Sequence, residues 1–503
     1  MTTSTYPYSG RSDHIAGPLT DRRLARHPET SKPSNPISRT YLGILFLAWS
    51  IPVVNFVLVP SYAPAIWPVW MALGITFLLA VVDRRFFVLG IPFAAMLSPL
   101  AYTSRLLTFL PSEFFLMGCG IATVLYLLAI QKLPRTYSGD ILLAGCLLTV
   151  VFSYLFSYEH AELFRPFVNW GVLAVVFLVT RTHLTAVNLF PTFFLAVVVV
   201  SAYCSVLIIA AYMYSIPLMY FLDPSMRVFD DPRIYGGIFR PSYFYTNVFY
   251  VLGIAAVTSL VTVFTSDSGK RRVVATSVLA VLLTGVFVLF SKTAMLTLTV
   301  CLFISRFVIF SVRGSTYKFG GLSRNLFIIF SVGLFLISVF AVVETLSSYE
   351  FTTDSLVARM TIFEASLHVM IDNPGRFLVG FGPDASIRLN TSGISSALRT
   401  ESTEEGAIDS AYMTGLFEYG ALFLLLISFF GYHTLFRLYK EVRGGIDRER
   451  VEIVIALFVM IAFIYLSAAS QVVGTSKVAW IVAQIFALAG PALRNAEATR
   501  SPR

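Results

Sequence analysis

The chain has 503 residues, 56% of them hydrophobic and only 13% charged, with a mean hydropathy of +0.76. A soluble domain carries about 25% charge, and so few polar groups could not cover an apolar surface of this size in water. That excludes a soluble enzyme, a nucleic-acid-binding protein and a coiled coil. The net charge of +9 points to anionic lipid and to inner-loop bias instead.

Residues 1–39 are polar and rich in Ser, Thr, Pro and Arg, without an apolar run. They read as a disordered cytoplasmic tail and not as a cleavable signal peptide. From Tyr41 onward, apolar stretches long enough to cross about 30 Å of hydrocarbon recur almost without pause. Fourteen are expected. The first seven lie near 41–59, 66–82, 86–104, 112–130, 140–157, 166–180 and 186–214. The second seven lie near 242–265, 273–290, 293–311, 325–343, 412–436, 451–470 and 477–493. Helix is the element that satisfies its own backbone in lipid, so the fold class is an all-α polytopic membrane protein. Eleven spans fill 40–343, a large outer loop fills 344–411, three spans fill 412–493, and 494–503 is a cytoplasmic tail. The four cysteines, Cys119, Cys146, Cys204 and Cys301, all fall in apolar runs and read as small buried hydrophobes.

Loop charge gives the orientation. With the N-terminus inside, 25 of the 37 Lys and Arg residues fall on the inner side and 11 on the outer, with Arg306 within a span. This asymmetry matches the positive-inside rule with both termini cytoplasmic.

Two outer segments, 215–241 and 344–411, are too long to be mere turns, and long loops among short connections are where function usually sits. The larger opens with a helix signature: Asp354 as N-cap, then Leu356, Met360, Phe363, Leu367 and Met370 at spacings of four and three. Such an apolar stripe suits a helix lying on the membrane surface or capping the bundle. Asp372-Asn373-Pro374-Gly375 is expected to end it as a turn.

Basic residues on the outer face run against the topology rule. Lys292 stands between two apolar runs with almost no loop to solvate it, and Arg240 immediately precedes a span. A cation at such depth costs about 2.5–3.5 kcal/mol and usually has a partner. For Lys292 the alternatives are interface snorkelling or an ion pair, and for Arg240 a lipid phosphate. Arg359 sits at the edge of the loop helix's apolar stripe, facing either a cavity beneath it or a nearby acid such as Asp354 or Glu364. Arg376, Arg388 and Arg399 read as solvated or substrate-contacting loop charges.

Asp409 precedes a span that contains Glu418. Nine residues at about 100° each put the two carboxylates on opposite helix faces, which argues against a paired acid and base. Glu418 shares its face with Ala411, Thr414 and Gly415 and reads as a buried packing and hydrogen-bonding residue. Asp409 reads either as an N-cap or as a general base at the water boundary. Gly380-Phe381-Gly382-Pro383-Asp384-Ala385 imitates a dinucleotide fingerprint without a βαβ unit around it, and the six His residues show no metal-ligand spacing.

Four stretches, in this order, resemble the O-antigen ligase/polymerase superfamily of bacterial envelope glycan enzymes. They are Ile238-Phe239-Arg240-Pro241 with Thr246-Asn247; Ser291-Lys292-Thr293; Arg359 to Ala365 running into Asn373-Pro374 and Val379 to Pro383; and Asp409 to Met413 followed by Phe417-Glu418-Tyr419-Gly420. They cover roughly 235–435. The resemblance implies transfer of glycan from a polyprenyl-diphosphate carrier at the outer face of the bacterial cytoplasmic membrane. It implies neither metal nor cofactor, and no nucleic acid; the partners it implies are membrane lipids, a flippase and a chain-length co-polymerase. It casts Arg240, Lys292 and Arg359 as the cations that hold the diphosphate, Lys292 and Arg359 among the catalytic residues, and Asp409 as the base. Asp at 409, where the ligase pattern has His, favours polymerisation of lipid-linked repeat units over ligation to another acceptor. Lys at 292, where the family often has Arg, forfeits a bidentate fork. A lipid-linked oligosaccharide flippase or other transporter is the rival from another class, and it should show matching broken helices in its two halves. Single-cysteine labelling checks the orientation: a Ser395→Cys variant should react with impermeant reagent from the outer side, and inner-side reaction alone would overturn it.

Overall fold

A computed structural model describes residues 39–58, 67–97, 111–131, 136–155, 164–183, 189–214, 234–235, 238–239, 248–266, 268–288, 292–311, 364, 366–382, 385, 410–443, 448–468 and 478–499. These are almost entirely helical. Seven helices come first: α1 (Arg39–Leu58), α2 (Trp67–Val82), α3 (Arg85–Leu97), α4 (Pro111–Ile130), α5 (Ser138–Leu155), α6 (Phe164–His183) and α7 (Leu189–Tyr214). A small antiparallel pair, β1 (Ile234–Tyr235) and β2 (Ile238–Phe239), comes next, joined in the register Ile234 to Phe239 and Tyr235 to Ile238. Then come α8 (Val248–Thr265), α9 (Gly269–Val288), α10 (Lys292–Ser311), the short α11 (Pro374–Val379), α12 (Ala411–Arg443), α13 (Arg448–Ala468) and α14 (Val478–Thr499).

Thirteen of the expected apolar stretches coincide with these helices, and the stretch at 325–343 lies outside the described residues. Among the described residues, five helical segments are long and apolar enough to cross a membrane: Ser112–Ile130, Phe190–Ala210, Val248–Thr265, Gly269–Val288 and Ala411–Arg443. The protein is therefore compatible with an all-α membrane protein. One boundary moves: α14 continues through Thr499, so the expected tail at 494–503 starts as helix.

The centre of the bundle is α8, with 15 of its 18 residues buried. It packs against α7, α9, α10 and α13. Glycine makes the closest approaches. A Cβ on Gly253 would strike the Phe463 ring of α13, and one on Gly431 of α12 would strike the Tyr465 ring. Small residues bring helix backbones together where lipid offers no hydrophobic drive for association.

Polar contacts fix the directions. At one end the Tyr250 hydroxyl of α8 donates to the Ser467 carbonyl at 2.9 Å, and the Tyr412 hydroxyl of α12 donates to the Tyr465 carbonyl at 2.6 Å. Both carbonyls belong to the last turn of α13, whose C=O groups have no partner within the helix. At the other end Glu452 of α13 accepts from Thr262 of α8 at 3.1 Å and from Arg271 of α9 at 2.9 Å. So α13 runs antiparallel to α8, and α9 rises from the Glu452 end. Three residues separate Val288 from Lys292. The starts of α8, α10 and α12 therefore gather at the same end as the close of α13, the upper end of the bundle.

Proline shows how interruptions are repaired. Pro92 inside α3 has no N–H, so the Val88 carbonyl four residues earlier loses its helical donor. Gln484 of α14, fully buried, donates its Nε2 to that carbonyl at 2.9 Å. A Gln484→Leu variant keeps the volume and orphans the carbonyl. It should lose about 0.6–1.7 kcal/mol, the range for interhelical hydrogen bonds in membranes, read as a lowered midpoint of thermal unfolding in detergent, whereas an unchanged midpoint would count against this repair.

Candidate functional site

The described part of the candidate site is built around 366–382, which carries the end of the third stretch of the resemblance. Residues 366–372 are helical and carry Met370, which is fully buried. Asn373-Pro374 does not simply end this helix as a turn, as the dipeptide alone predicts. It is a junction, and Pro374 starts α11, where a missing N–H costs nothing. The Asn373 carbonyl accepts from the N–H groups of Arg376 at 2.8 Å and Phe377 at 3.2 Å. Gly380 then stops α11, its N–H donating to the Arg376 carbonyl at 2.7 Å, with φ +80° and ψ 176°. Only glycine adopts such dihedrals at little cost.

The next two residues, Phe381 and Gly382, dock onto α12. That helix is broken at Gly420, where φ is +83° and ψ 174°. The Phe381 N–H donates to the Phe417 carbonyl at 2.9 Å and the Gly382 N–H to the Glu418 carbonyl at 3.0 Å. Ser153 of α5 donates its hydroxyl to the same Glu418 carbonyl. The Phe381 and Phe417 rings stack at 4.8 Å and 17°, and Met370 packs against Phe417. The two glycines face each other reciprocally. A Cβ on Gly380 would strike the Glu418 carbonyl, and one on Gly420 would strike the Leu378 carbonyl.

On the side towards α5 and α6, Tyr419 and Phe423 form an aromatic cluster with Trp170. Its indole N–H donates to the Tyr419 hydroxyl at 2.9 Å, and the rings meet edge to face. Cys146 and Val150 of α5 close the cluster. The break is thus held from both sides.

Of the residues singled out in the sequence, Glu418 is described and is buried, 4% exposed. Lys292 is the first residue of α10, at the upper end, and the position of its side chain lies outside the described residues. Asp409, Arg359, Arg240, Arg388 and Arg399 also lie outside them, as do Asp354, Leu356, Met360 and Phe363 of the expected stripe. Arg376 is half-buried on α11. The structure joins the third and fourth stretches of the resemblance through Phe381, Gly382, Phe417 and Glu418. Gly380 to Gly382, which imitates a nucleotide fingerprint, is part of that joint. Among the described residues no group of three or more His, Cys, Asp and Glu could hold a metal ion.

Sequence reasoning missed the break at Gly420 and the grip of Ser153. A glycine followed by more apolar residues was the available signal, but spans tolerate glycine freely. It also counted Arg181 as an ordinary inner-loop charge. The Arg181 side chain is only 4% exposed, pairs with Asp140 at 2.5 Å and lies over the Tyr137 ring at 4.4 Å. A Cβ on Gly490 of α14 would crowd both groups. This cluster sits at the foot of α5, the end of the helix remote from Ser153, and joins α5, α6 and α14.

Comparison of the chain with protein-family models and with curated proteins gives no match. The site rests on its own geometry. Phe417→Ala removes the ring that holds both Met370 and Phe381. Such truncations cost about 3–5 kcal/mol in a core that cannot collapse, and a third of that already raises local opening about tenfold. Limited proteolysis should therefore cut within 366–382 about tenfold faster in the variant, with cleavage elsewhere unchanged. Equal rates would show that the stack does not hold the segment.

Proposed function

We propose that the protein polymerises polyprenyl-diphosphate-linked oligosaccharide repeat units into exopolysaccharide or O-antigen at the outer face of the bacterial cytoplasmic membrane. In this reading fourteen spans cross the membrane, both termini are cytoplasmic and 344–411 is periplasmic. The observation that carries it is the joint between 379–382 and 417–420, which unites two of the stretches resembling the O-antigen ligase/polymerase superfamily. The gathering of the starts of α8, α10 and α12 at one end adds support, because Arg240, Lys292 and Asp409 stand at or just before those starts in sequence.

The chemistry rests on the charges. A sugar hydroxyl of one repeat unit attacks the anomeric carbon of another, and the glycosyl bond to the carrier diphosphate breaks. Lys292, Arg359 and Arg240 hold the diphosphate and stabilise the charge it gains on leaving. Asp409 takes the proton of the attacking hydroxyl. The alternatives are ligase-type transfer to a different acceptor and, from another class, a lipid-linked oligosaccharide flippase.

Substitution separates these. In a deletion strain, Lys292→Ala and Arg359→Ala should each cut polymer by one to two decades at unchanged protein level, since losing a charged hydrogen bond costs about 1.5–3 kcal/mol. Asp409→Asn keeps an N-cap and deletes the base, so a loss of about 10²–10⁴-fold is expected. Wild-type chain length from Asp409→Asn would remove the base from the scheme. Lipid-linked repeat units trapped on the inner leaflet in all three variants would favour the flippase.

A further inference from the structure

The bonds that hold the break in α12 have a competitor within α12 itself. In an unbroken helix each N–H donates to the carbonyl four residues earlier. The N–H groups of Ala421 and Leu422 would then donate to the carbonyls of Phe417 and Glu418. In the structure those two carbonyls accept from Phe381 and Gly382 instead, and the dihedrals of Gly420 turn the chain away from the helical path. The left-handed turn at Gly420 is what lets both carbonyls face the segment 381–382, and the close approach of Gly380 to the Glu418 carbonyl leaves no room for the helix to continue straight.

We propose that residues 379–382 form a detachable strap, and that strap docking and straightening of α12 are alternative states of one two-state element. The docked bonds from Phe381 and Gly382 and the helical bonds of a straight α12 would end on the same two carbonyls. Docking adds the stacked Phe381 and Phe417 rings and retains Ser153 on the Glu418 carbonyl. Straightening relieves the left-handed dihedral at Gly420, which glycine alone tolerates in both states. The facing glycines make the exclusion strict: the strap fits only while residues 380 and 420 both lack a Cβ and both keep φ near +80°.

The consequence is coupling between the outer loop and the helix that succeeds it. The half of α12 from Ala411 to Tyr419 changes direction relative to the half from Ala421 to Arg443 when the strap leaves. A ligand that grips the 366–382 segment in only one position biases α12, and by linkage the setting of α12 biases that ligand. The proposal stands on backbone geometry and does not depend on the glycan chemistry above.

Hydrogen exchange of the purified full-length chain in detergent, read by mass spectrometry, tests it without any activity assay. In the wild type the amides of Phe381 and Gly382 should be protected, and those of Ala421 and Leu422 should exchange faster than their helical neighbours. Gly420→Ala forbids the break and favours helix, so protection at 381–382 should fall about tenfold or more while protection at 421–422 rises. Gly380→Ala removes the strap without altering α12 and should give the same opposed pair of changes. Retained protection at 381–382 in Gly420→Ala would overturn the exclusion, and loss there with no gain at 421–422 would overturn the two-state link. If α8 amides also lose protection in the glycine variants, the milder Ser153→Ala decides. Opposed shifts at the two segments support the strap, and parallel shifts or none refute it.

Discussion

A carbonyl released inside an apolar bundle has no water to turn to, and each interruption of helix therefore has to be answered by a donor from elsewhere. That constraint organises the described part of this protein. Val88, freed by Pro92, is answered by Gln484. The closing carbonyls of α13 are answered by Tyr250 and Tyr412. The carbonyls at the break in α12 are answered by Phe381, Gly382 and Ser153. In each case the donor is distant in sequence, so the repair also ties two elements together. Gln484, Tyr250, Tyr412 and Ser153 act in this way as fasteners of the bundle.

The break is where those fasteners meet the candidate chemistry. The short helix α11 and the strap dock on one side of it, and Ser153 and the Trp170 cluster hold the other. The segment 366–382 and α12 are in this way joined through the backbone bonds of Phe381 and Gly382. The Arg181–Asp140 pair plays a different part at the foot of α5. It anchors the ends of α5, α6 and α14 through charge and ring contacts, well away from the strap. Breaking a buried pair leaves an uncompensated charge, which explains why the guanidinium is wrapped so closely by Tyr137 and Phe177.

The order of the helices makes the arrangement economical. Because α13 runs antiparallel to both α8 and α12, its last turn can receive tyrosines from each, and those tyrosines are the third residue of α8 and the second of α12. In sequence Arg240 precedes the anchored turn of α8 and Asp409 that of α12.

Hydropathy by itself determined the element type and nearly all of the helix positions, because a run of apolar residues in lipid can satisfy its backbone only as helix. It also marked Glu418 as buried, since a carboxylate among Ala411, Thr414 and Gly415 has to face neighbouring helices. Tertiary structure alone decided the break at Gly420. A glycine between Tyr419 and Ala421 reads the same whether the helix continues or stops, and the donors that settle the matter lie at 381–382 in another element. The same holds for Asn373-Pro374, which local rules read as a stop and packing turned into a junction, and for Arg181, which loop counting only placed on the inner side and packing buried beside Asp140. Local composition sets how a segment meets lipid, but which carbonyl meets which donor is a long-range pairing that no single segment encodes.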